Sequence, residues 1–429
     1  MNQTRKRKGI IEKMESSNFL FKDQNVTLIK SKAIPYKHPS NIFSETDDEI
    51  LKKVENIGRV CYKSEDKINS ESSEKFFKTL LNNKHLSVLE HANLIWSLNI
   101  RDENFKNNLI PAIDSVLNLT NKSQYFVYGF NMDKEFIIAS NLRAVYEFLF
   151  TLRGILNSHS FFSKTDKEIF SKIILVYFFM DFIFAEKYEK LYEMISKEID
   201  SEFGLYDMIR DYVLCECDDI YNNIMQDCVL RREGAFKTVS LVDYDETSSK
   251  NVKCIRNGID YTRDLSLYTF KIITNRGITH EIVRSRTLSF TQESTRYVNY
   301  DKKCGFKYTN IFDKLDNINL DIVNEYNEFI DGCSNFYSKL VNSNVPPQYA
   351  RDILPHSLKA EIICSGRIGC PELYDETSKM PFVPPYSSIY SSGWGQFLIL
   401  RLSQAAHPEI RKIAEEIKEY FITIGVFKK

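Results

Sequence analysis

The chain has 429 residues, of which 43% are hydrophobic and 27% are charged, a composition typical of a globular protein that can bury a large core. Its net charge of −1 and pI of about 6.7 exclude a global electrostatic attraction to nucleic acid or to a membrane surface. The longest apolar run, residues 173–180, is too short to span a bilayer, and no apolar segment follows the basic N-terminal cluster as a secretory signal requires. The nine cysteines are scattered, and no two pairs stand at zinc-site spacing. We therefore expect free thiols in a reducing, cytoplasmic compartment and no metal site.

The first hundred residues predict a mixture of strands and helices. β-Branched residues at 25–34 indicate a first strand, and a second strand is predicted at 93–100. Between them, apolar residues at helical spacing predict helices at 47–62 and 73–82.

Residues 102–266 are predicted to be mostly helical. Helical spacing runs through 141–156 and 167–188 and continues over roughly 189–227. Acidic residues are frequent there, but they form no catalytic constellation and are expected to face solvent. The sequence leaves open whether this segment is a packing domain, an oligomer contact or a regulatory lobe.

The stretch 276–300 has a distinctive composition, with four arginines, one histidine, two glutamates, three serines and two tyrosines. A strand-like run at 268–274 precedes it, and residues 275–277 predict a turn. From Ile278 onward the spacing predicts a short helix, whereas the Ser/Thr-rich residues 287–295 predict an irregular loop. Forked arginine donors suit phosphate and planar acyl or imide groups. The alternative is a solvent-exposed helix whose charged side chains form salt bridges with one another.

The C-terminal third predicts a long helix, a strand and two further helices. Residues 320–341 have amphipathic spacing. The predicted apolar stripe of this helix consists of Ile322, Val323, Tyr326, Phe329, Ile330 and Phe336. A strand is predicted at 358–364, a loop rich in Pro, Gly and Ser at 367–391, and a helix that ends at Arg401.

The last helix is predicted to begin at Pro408, a residue that suits a first helical turn. Arg411 then lies near the positive end of the helix dipole, where a cation is unfavourable unless an anion is present. This position suggests a phosphate site. The alternative is a surface ion pair with Glu415, four residues further on.

The signature within 276–300 resembles that of the flavin-dependent thymidylate synthases. The matching residues are Arg284-Ser285-Arg286, Ser289 and Ser294-Thr295-Arg296-Tyr297. Two residues depart from the family pattern, since Ser285 stands where the middle histidine of Arg-His-Arg is expected and Gln292 where many relatives have glutamate. Further segments also resemble the family, among them residues 59–64, the run from His85 to His91, the segment around Arg351 and the run from Ala405 to Arg411.

The resemblance implies an α+β fold with a central mixed sheet flanked by helices, plus a mostly helical insertion. It divides the chain into two parts of a synthase core, 1–101 and 267–429, separated by the insertion 102–266. Members of the family are homotetramers whose active sites are built from several subunits. Their reaction converts dUMP to dTMP, with methylenetetrahydrofolate as the carbon donor and NADPH-reduced FAD as the hydride donor. It uses no cysteine nucleophile.

The resemblance also assigns roles residue by residue. The dUMP site is expected to contain Glu281, Ser294, Arg296, Arg351 and Arg411. The FAD site is expected to contain Arg284, Ser285, Arg286, His85, Ser87, Glu90, Arg401 and His407. Of the catalytic pair, Arg296 is expected to stabilise negative charge on the pyrimidine ring. Ser294, the other member, is expected to bind substrate, because an unactivated serine is a poor nucleophile. The alternative for the run 85–91 is that Glu90 caps a turn and His91 is a hydrogen-bonded core histidine.

Ser285 bears on cofactor affinity and on function. A serine reaches less far than an imidazole and carries no charge, so we expect a loss of about 1–2 kcal/mol and about tenfold weaker FAD binding. Three alternatives to the synthase stay open at this point. They are a pyrimidine-nucleotide hydroxymethylase, a non-catalytic nucleotide-binding paralogue, and a scaffold whose segment 102–266 binds another protein.

Overall fold

The computed structural model describes residues 26–37, 42–157, 167–199, 239–243, 252–256, 259–312, 318–369 and 393–427. In these ranges the chain is α+β, as predicted. The helices are α1 (Asp47–Tyr62), α2 (Ser72–Asn82), α3 (Glu103–Leu119), α4 (Leu142–Asn157), α5 (Lys167–Lys187), α6 (Glu189–Ile199), α7 (Arg276–Ile282), α8 (Tyr300–Lys303), α9 (Leu320–Asn342), α10 (Pro347–Ala350), α11 (Trp394–Arg401) and α12 (Pro408–Thr423). The strands are β1 (Val26–Ile29), β2 (Lys32–Pro35), β3 (Asn93–Ile100), β4 (Val127–Phe130), β5 (Phe136–Asn141), β6 (Val239–Leu241), β7 (Ile255–Arg256), β8 (Ile259–Asp260), β9 (Tyr268–Asn275), β10 (Ser289–Gln292), β11 (Phe306–Thr309) and β12 (Lys359–Gly366). Short 3-10 helices lie at Glu65–Lys67, Leu86–His91, Ser123–Tyr125, Thr262–Leu265 and Arg351–Ile353.

The described strands form three sheets, not the single central mixed sheet that was expected. A four-stranded sheet has the order β10-β12-β9-β2, a six-stranded sheet has the order β6-β3-β5-β4-β7-β8, and every pairing within both is antiparallel. Strands β1 and β11 pair in parallel as a separate two-stranded sheet. The parallel pair therefore lies outside the larger sheets, and the prediction of one mixed sheet is wrong.

The single strand predicted at 25–34 is also wrong, because the chain forms β1 and β2 in two different sheets. The break lies at Lys30 and Ser31. The Ser31 hydroxyl donates to Thr274 Oγ1 at 2.9 Å and also contacts the Glu409 carboxylate. These side-chain bonds fix the bend, and they tie the start of β2 to α12 and β9.

Helix α1 has the bounds predicted from its apolar spacing. Thr46 caps its N-terminus, because the backbone N–H of Glu49 donates to the Thr46 hydroxyl and the Glu49 carboxylate accepts from the Thr46 N–H. Lys63 adopts the left-handed conformation, with φ of 47°, and ends the helix. The buried face packs into the largest hydrophobic core.

The segment 102–266 contains α4, α5 and α6, as predicted, but also helix α3 and strands that the spacing did not predict. Those strands are β4 to β8, and they complete the six-stranded sheet around β3. Aromatic and aliphatic side chains from the segment share one core with α1, α2 and β3. The part of the predicted helix beyond Ile199 lies outside the described residues, and the boundaries of the three predicted parts stay a prediction.

Helix α9 confirms the predicted long helix but not its single apolar stripe. Val323 and Ile330 are buried, and Tyr326 is half-buried. Ile322, Phe329 and Phe336 are instead more than half exposed on a second face. The sequence pattern merged two apolar faces into one.

The other C-terminal predictions agree with the structure where it describes the chain. Strand β12 and helices α11 and α12 lie where they were expected, with Pro408 in the first turn of α12. Most of the loop predicted at 367–391 lies outside the described residues. Within the described ranges, no helix combines the length and the apolar character that crossing a membrane requires.

Candidate functional site

The signature stretch lies at one edge of the four-stranded sheet. Strand β9 runs directly into α7, whose N-terminus is capped by Asn275, since the Asn275 carboxamide oxygen accepts from the Ile278 N–H at 2.9 Å. The chain then turns through Ser285 and enters β10, which pairs antiparallel with β12. The prediction of an irregular loop at 287–295 is therefore wrong over β10. Pairing with the buried strand β12 outweighed the Ser/Thr-rich composition.

Residues that follow β10 form a first group, which we call the loop cluster (Ser294, Arg296, Gln348 and Arg351). Arg296 Nε donates to the Gln348 side chain at 3.3 Å, and the guanidinium lies over the Tyr297 ring, 5.3 Å from its centroid. Arg351 donates to the Thr295 hydroxyl at 3.3 Å. The structure thus brings together three of the five residues predicted for dUMP.

An aromatic row borders the loop cluster. The Tyr62 hydroxyl and His85 Nδ1 share a hydrogen bond of 2.7 Å, and the two rings stack with centroids 6.4 Å apart. Tyr62 also lies 5.6 Å from Tyr297, centroid to centroid. The predicted flavin residue His85 therefore adjoins the end of the signature, whereas Ser87 is exposed and joins no described contact of the site.

Four further residues, which we call the helix cluster (Glu281, Ser285, Arg401 and Arg411), lie on or next to α7, α11 and α12. Arg401 donates to the Glu281 carboxylate at 3.2 Å and to the Glu281 carbonyl at 2.7 Å. Arg411 donates to the carbonyls of Gln404 and Ala406 at 2.6 and 3.0 Å. No hydrogen bond or ion pair between the two clusters is found among the described residues.

The positive charge of Arg411, near the N-terminus of α12, is compensated by backbone carbonyls. The Arg411 guanidinium folds back onto the carbonyls that precede the helix, and no ion pair with Glu415 forms in the described structure. His407 is the N-cap of α12, with its Nδ1 accepting from the Glu409 N–H at 3.2 Å. His407 therefore caps the helix through Nδ1, and its Nε2 has no hydrogen-bond partner among the described residues.

Three buried polar atoms of the helix cluster have no hydrogen-bond partner among the described residues, namely Ser285 Oγ, Arg401 Nε and Arg411 Nε. Buried polar groups are nearly always satisfied, so each unsatisfied one needs an explanation. Arg284 and Arg286, on either side of Ser285, are exposed and form no ion pair or hydrogen bond in the described part of the chain. These five side chains leave donors free for an anionic or polar ligand.

Two residues of the run 85–91 have partners within the protein. Glu90 forms an ion pair with Arg143 on α4. His91 is fully buried, with Nδ1 2.6 Å from Ser365 Oγ and Nε2 3.0 Å from Thr291 Oγ1. Burial, with a smaller effect of Lys53, lowers the pKa of His91 to about 3. His91 is therefore the hydrogen-bonded core histidine of the alternative reading.

Sequence reasoning missed a buried ionic network behind the loop cluster. Its carboxylates are Glu293, whose side chain is fully buried, and Glu361. Lys63 lies 3.5 Å from Glu293 and 2.7 Å from Glu361, and Lys359 lies 3.1 and 2.6 Å from the same two carboxylates. A signal was present, because Lys359 and Glu361 are two charged residues with period-two spacing inside an otherwise apolar strand.

The network shifts the pKa values of Glu361 and of the neighbouring Tyr300. Burial raises the pKa of the Glu361 carboxyl, but Lys359 and Lys63 outweigh burial and hold it well below its usual range. Burial and the Glu293 charge raise the pKa of Tyr300, whose hydroxyl donates to Glu293 at 2.9 Å. Glu293 immediately precedes Ser294, so the network holds the base of the loop cluster in place.

The described cysteines are poor nucleophiles. Burial, followed by the Glu293 charge, raises the pKa of Cys61 to about 11, and burial raises that of Cys254 to about 12. The pKa values of Cys304, Cys333 and Cys364 are raised as well, mainly by burial. The thiolate is the reactive form, so none of these five side chains is suited to attack a pyrimidine at neutral pH.

Comparison with known families agrees with the signature. The model of a protein family described as thymidylate synthase complementing protein matches residues 231–368. This is the family of flavin-dependent thymidylate synthases, so the resemblance is confirmed over that range. The match covers α7, the loop cluster and the central strands β9 and β12, but it spans less than half of the chain. None of the curated proteins matches the chain.

Proposed function

We propose that the protein is a flavin-dependent thymidylate synthase, which methylates dUMP to dTMP with methylenetetrahydrofolate as the carbon donor. One observation carries the proposal: the family match at 231–368 falls on the strand–helix–strand unit that gathers Ser294, Arg296 and Arg351. In this proposal the protein is a transferase of dTMP biosynthesis with dUMP, folate and NADPH as ligands.

The loop cluster is suited to hold and polarise a pyrimidine nucleotide. The Gln348 contact and the Tyr297 ring orient the Arg296 guanidinium, while its terminal nitrogens have no described partner. A fixed, permanently charged donor stabilises negative charge that develops on a ring carbonyl. Arg351 is exposed beside Thr295 and can neutralise the nucleotide phosphate.

The helix cluster, together with the neighbouring Arg284 and Arg286, offers groups that fit FAD. The unsatisfied Ser285 hydroxyl and Arg401 Nε offer buried donors, and the exposed Arg284 and Arg286 offer charges for a diphosphate. When bound and reduced by NADPH, FAD supplies the hydride of the reaction. The protein side chains would bind and orient the isoalloxazine and phosphate groups. Glu90 and His407 are weaker candidates, since each already has a protein partner.

The raised cysteine pKa values support chemistry without a thiolate nucleophile. The enzyme therefore works mainly by positioning and electrostatics. The residues expected to bind dUMP are divided between the loop cluster and the helix cluster. This division supports a homotetramer in which one subunit completes the site of another. We further propose a cytoplasmic location.

The experiment is a visible absorption spectrum of purified protein, followed by anaerobic oxidation of NADPH with and without dUMP. We expect a flavin spectrum that bleaches faster with dUMP, and dTMP among the products once methylenetetrahydrofolate is added. Arg296→Lys is the informative variant, because it keeps the charge but loses the forked donor geometry. It should lower turnover at least tenfold while the flavin spectrum is retained. A product that carries a hydroxymethyl group would identify the hydroxymethylase instead.

The second candidate is a non-catalytic nucleotide-binding paralogue. Ser285 favours it, because a small side chain occupies a position of the flavin site where the family has imidazole. Protein that is colourless and does not take up added FAD, yet binds dUMP in calorimetry, would support the paralogue and contradict the synthase.

A further inference from the structure

Tyr62, at the end of α1, lies between the expected flavin residue His85 and the end of the signature. Its hydroxyl shares a hydrogen bond of 2.7 Å with His85 Nδ1, and the two ring planes are inclined by only 24°. On its other side, the Tyr62 ring lies 5.6 Å from that of Tyr297, centroid to centroid. The family resemblance assigns Tyr62 no role, yet its contacts join two parts of the expected site.

The backbone around Tyr62 is held by contacts with the signature and with α8. The Ser294 N–H donates to the Cys61 carbonyl at 3.0 Å. Lys303 Nζ donates to the carbonyls of Tyr62 and Lys63 at 3.1 and 3.3 Å. These bonds use the carbonyls that the end of a helix leaves unpaired. The Tyr62 ring is therefore carried by a backbone that is fixed relative to the signature.

The orientation of the His85 side chain, by contrast, depends on Tyr62. The His85 N–H donates to the Leu80 carbonyl at 2.9 Å, which anchors its backbone. Its ring is exposed, and Tyr62 is the one residue in the described part of the chain that bonds to it or stacks on it. An exposed side chain keeps its rotamer freedom unless a contact offsets the entropy of ordering it. The hydroxyl and the ring of Tyr62 provide that contact.

The Tyr62 hydroxyl also determines which nitrogen of His85 carries the proton. Burial, followed by the charges of Cys61 and Tyr297, raises the pKa of Tyr62, so the hydroxyl keeps its hydrogen at neutral pH. Among the described residues, His85 Nδ1 is the one acceptor that this hydrogen reaches. A neutral imidazole that accepts at Nδ1 carries its own hydrogen on Nε2. His85 therefore presents Nε2–H as a donor on an exposed ring.

We propose that Tyr62 is a positioning residue, which holds the His85 ring and fixes the tautomer whose Nε2–H donates to an acceptor atom of the flavin ring system. A donor with a fixed direction recognises a carbonyl oxygen or an unprotonated ring nitrogen of a planar heterocycle. The choice of flavin as the ligand rests on the proposed function. The effect of Tyr62 on the His85 tautomer does not, because it follows from contacts within the protein.

The tautomer is tested by NMR of isotope-labelled histidine nitrogens in the full-length protein without added ligand, at about pH 8, where an ordinary imidazole is neutral. The His85 signals are those that His85→Gln removes. We expect Nδ1 to have the shift of an unprotonated nitrogen in wild type. In Tyr62→Phe, which loses only the hydroxyl, the shifts of Nδ1 and Nε2 should move toward each other as the tautomers mix.

Tyr326→Phe is the matched control for the NMR experiment. The Tyr326 hydroxyl also makes a hydrogen bond of 2.7 Å, but to Ser357, and this variant should leave the His85 signals unchanged. A protonated Nδ1 in wild type, or His85 signals that Tyr62→Phe does not move, would overturn the proposal.

Flavin titration tests the role of Tyr62 in ligand binding. We expect Tyr62→Phe to bind FAD about fivefold more weakly than wild type, the scale of one net hydrogen bond. In a His85→Gln background the same substitution should change the affinity less than about twofold, because the ring that Tyr62 positions is gone. Unchanged affinity of Tyr62→Phe, or an equal loss in both backgrounds, would overturn the positioning role. A wild type that binds no flavin would instead contradict the proposed function, and the NMR result without ligand distinguishes the two failures.

Discussion

Arg401 on α11 contacts Glu281 on α7 twice, through the carboxylate at 3.2 Å and through the backbone carbonyl at 2.7 Å. The family resemblance assigns these residues to different ligands, Glu281 to dUMP and Arg401 to FAD. In the folded chain they are partners. This pair joins the signature helix α7 to α11.

The two contacts predict unequal effects of two substitutions. Arg401→Met removes both bonds and leaves the Glu281 carboxylate without its partner, so we expect about 1–3 kcal/mol of destabilisation. Glu281→Gln keeps the bond to the carbonyl and should cost less than about 1 kcal/mol. Urea denaturation of the two variants measures the difference. A larger loss of stability for Glu281→Gln than for Arg401→Met would show that the carboxylate contact dominates.

Substitution of Ser285 is predicted to change flavin affinity without lowering the stability of the fold. The buried hydroxyl of Ser285 has no partner in the part of the chain that the structure describes, so Ser285→Ala should leave the free energy of unfolding unchanged or slightly higher. If the hydroxyl contacts FAD, as proposed, flavin titration of the same variant should show about fivefold weaker binding. The control is Ser334→Ala, because the Ser334 hydroxyl bonds to Tyr308 and to the Ile330 carbonyl. That variant should lose about 1–2 kcal/mol of stability with unchanged flavin affinity. Unchanged affinity in Ser285→Ala would remove Ser285 from the flavin site.

Glu293 is predicted to be the most sensitive member of the buried network. Glu293→Gln removes one of two carboxylates that face Lys63 and Lys359, so the excess buried positive charge should cost about 3 kcal/mol. Adding Lys359→Met should recover part of this loss, since it removes the unpaired charge. Asp352→Asn, which alters an exposed ion pair with Arg351, is the control and should stay within about 0.5 kcal/mol of wild type. A loss below about 1 kcal/mol for Glu293→Gln would mean that the network does not stabilise the fold.

His91 predicts how stability depends on pH. Its folded pKa of about 3 lies below the ordinary value of 6.5, so the unfolded chain takes up a proton between these pH values and the folded chain does not. The stability linked to neutral His91 is thus fully present above pH 6.5 and is lost as the pH falls, by at most about 1.4 kcal/mol per pH unit.

Denaturation of wild type and His91→Gln at pH 7 and pH 5 measures this contribution. We expect the wild type to lose about 2 kcal/mol more than the variant over this interval. Equal slopes for wild type and His91→Gln would show that His91 takes up its proton in the folded protein over the same pH range as in the unfolded chain.

The sequence determined the local elements wherever one physical signal was strong. Helical spacing together with the Thr46 cap set α1, and Pro408 set the start of α12. The signature within 276–300 could also be recognised from the sequence, because its residue types and spacing do not depend on how the strands pair. The resemblance to the family could therefore be recognised from the chain alone, and the family match at 231–368 agrees with it.

Only the tertiary structure decided which side chains are free and which are already paired. Glu90 meets Arg143 and His91 meets Ser365 across long separations in sequence, and no local pattern encodes those distances. Strand β10 forms because β12 offers a buried edge, although its own residues favour a loop. The two faces of α9 were likewise merged in the sequence, because periodicity records that a residue is apolar but not whether a neighbour covers it. Burial and pairing depend on the whole fold, and they separate a binding residue from a structural one of the same type.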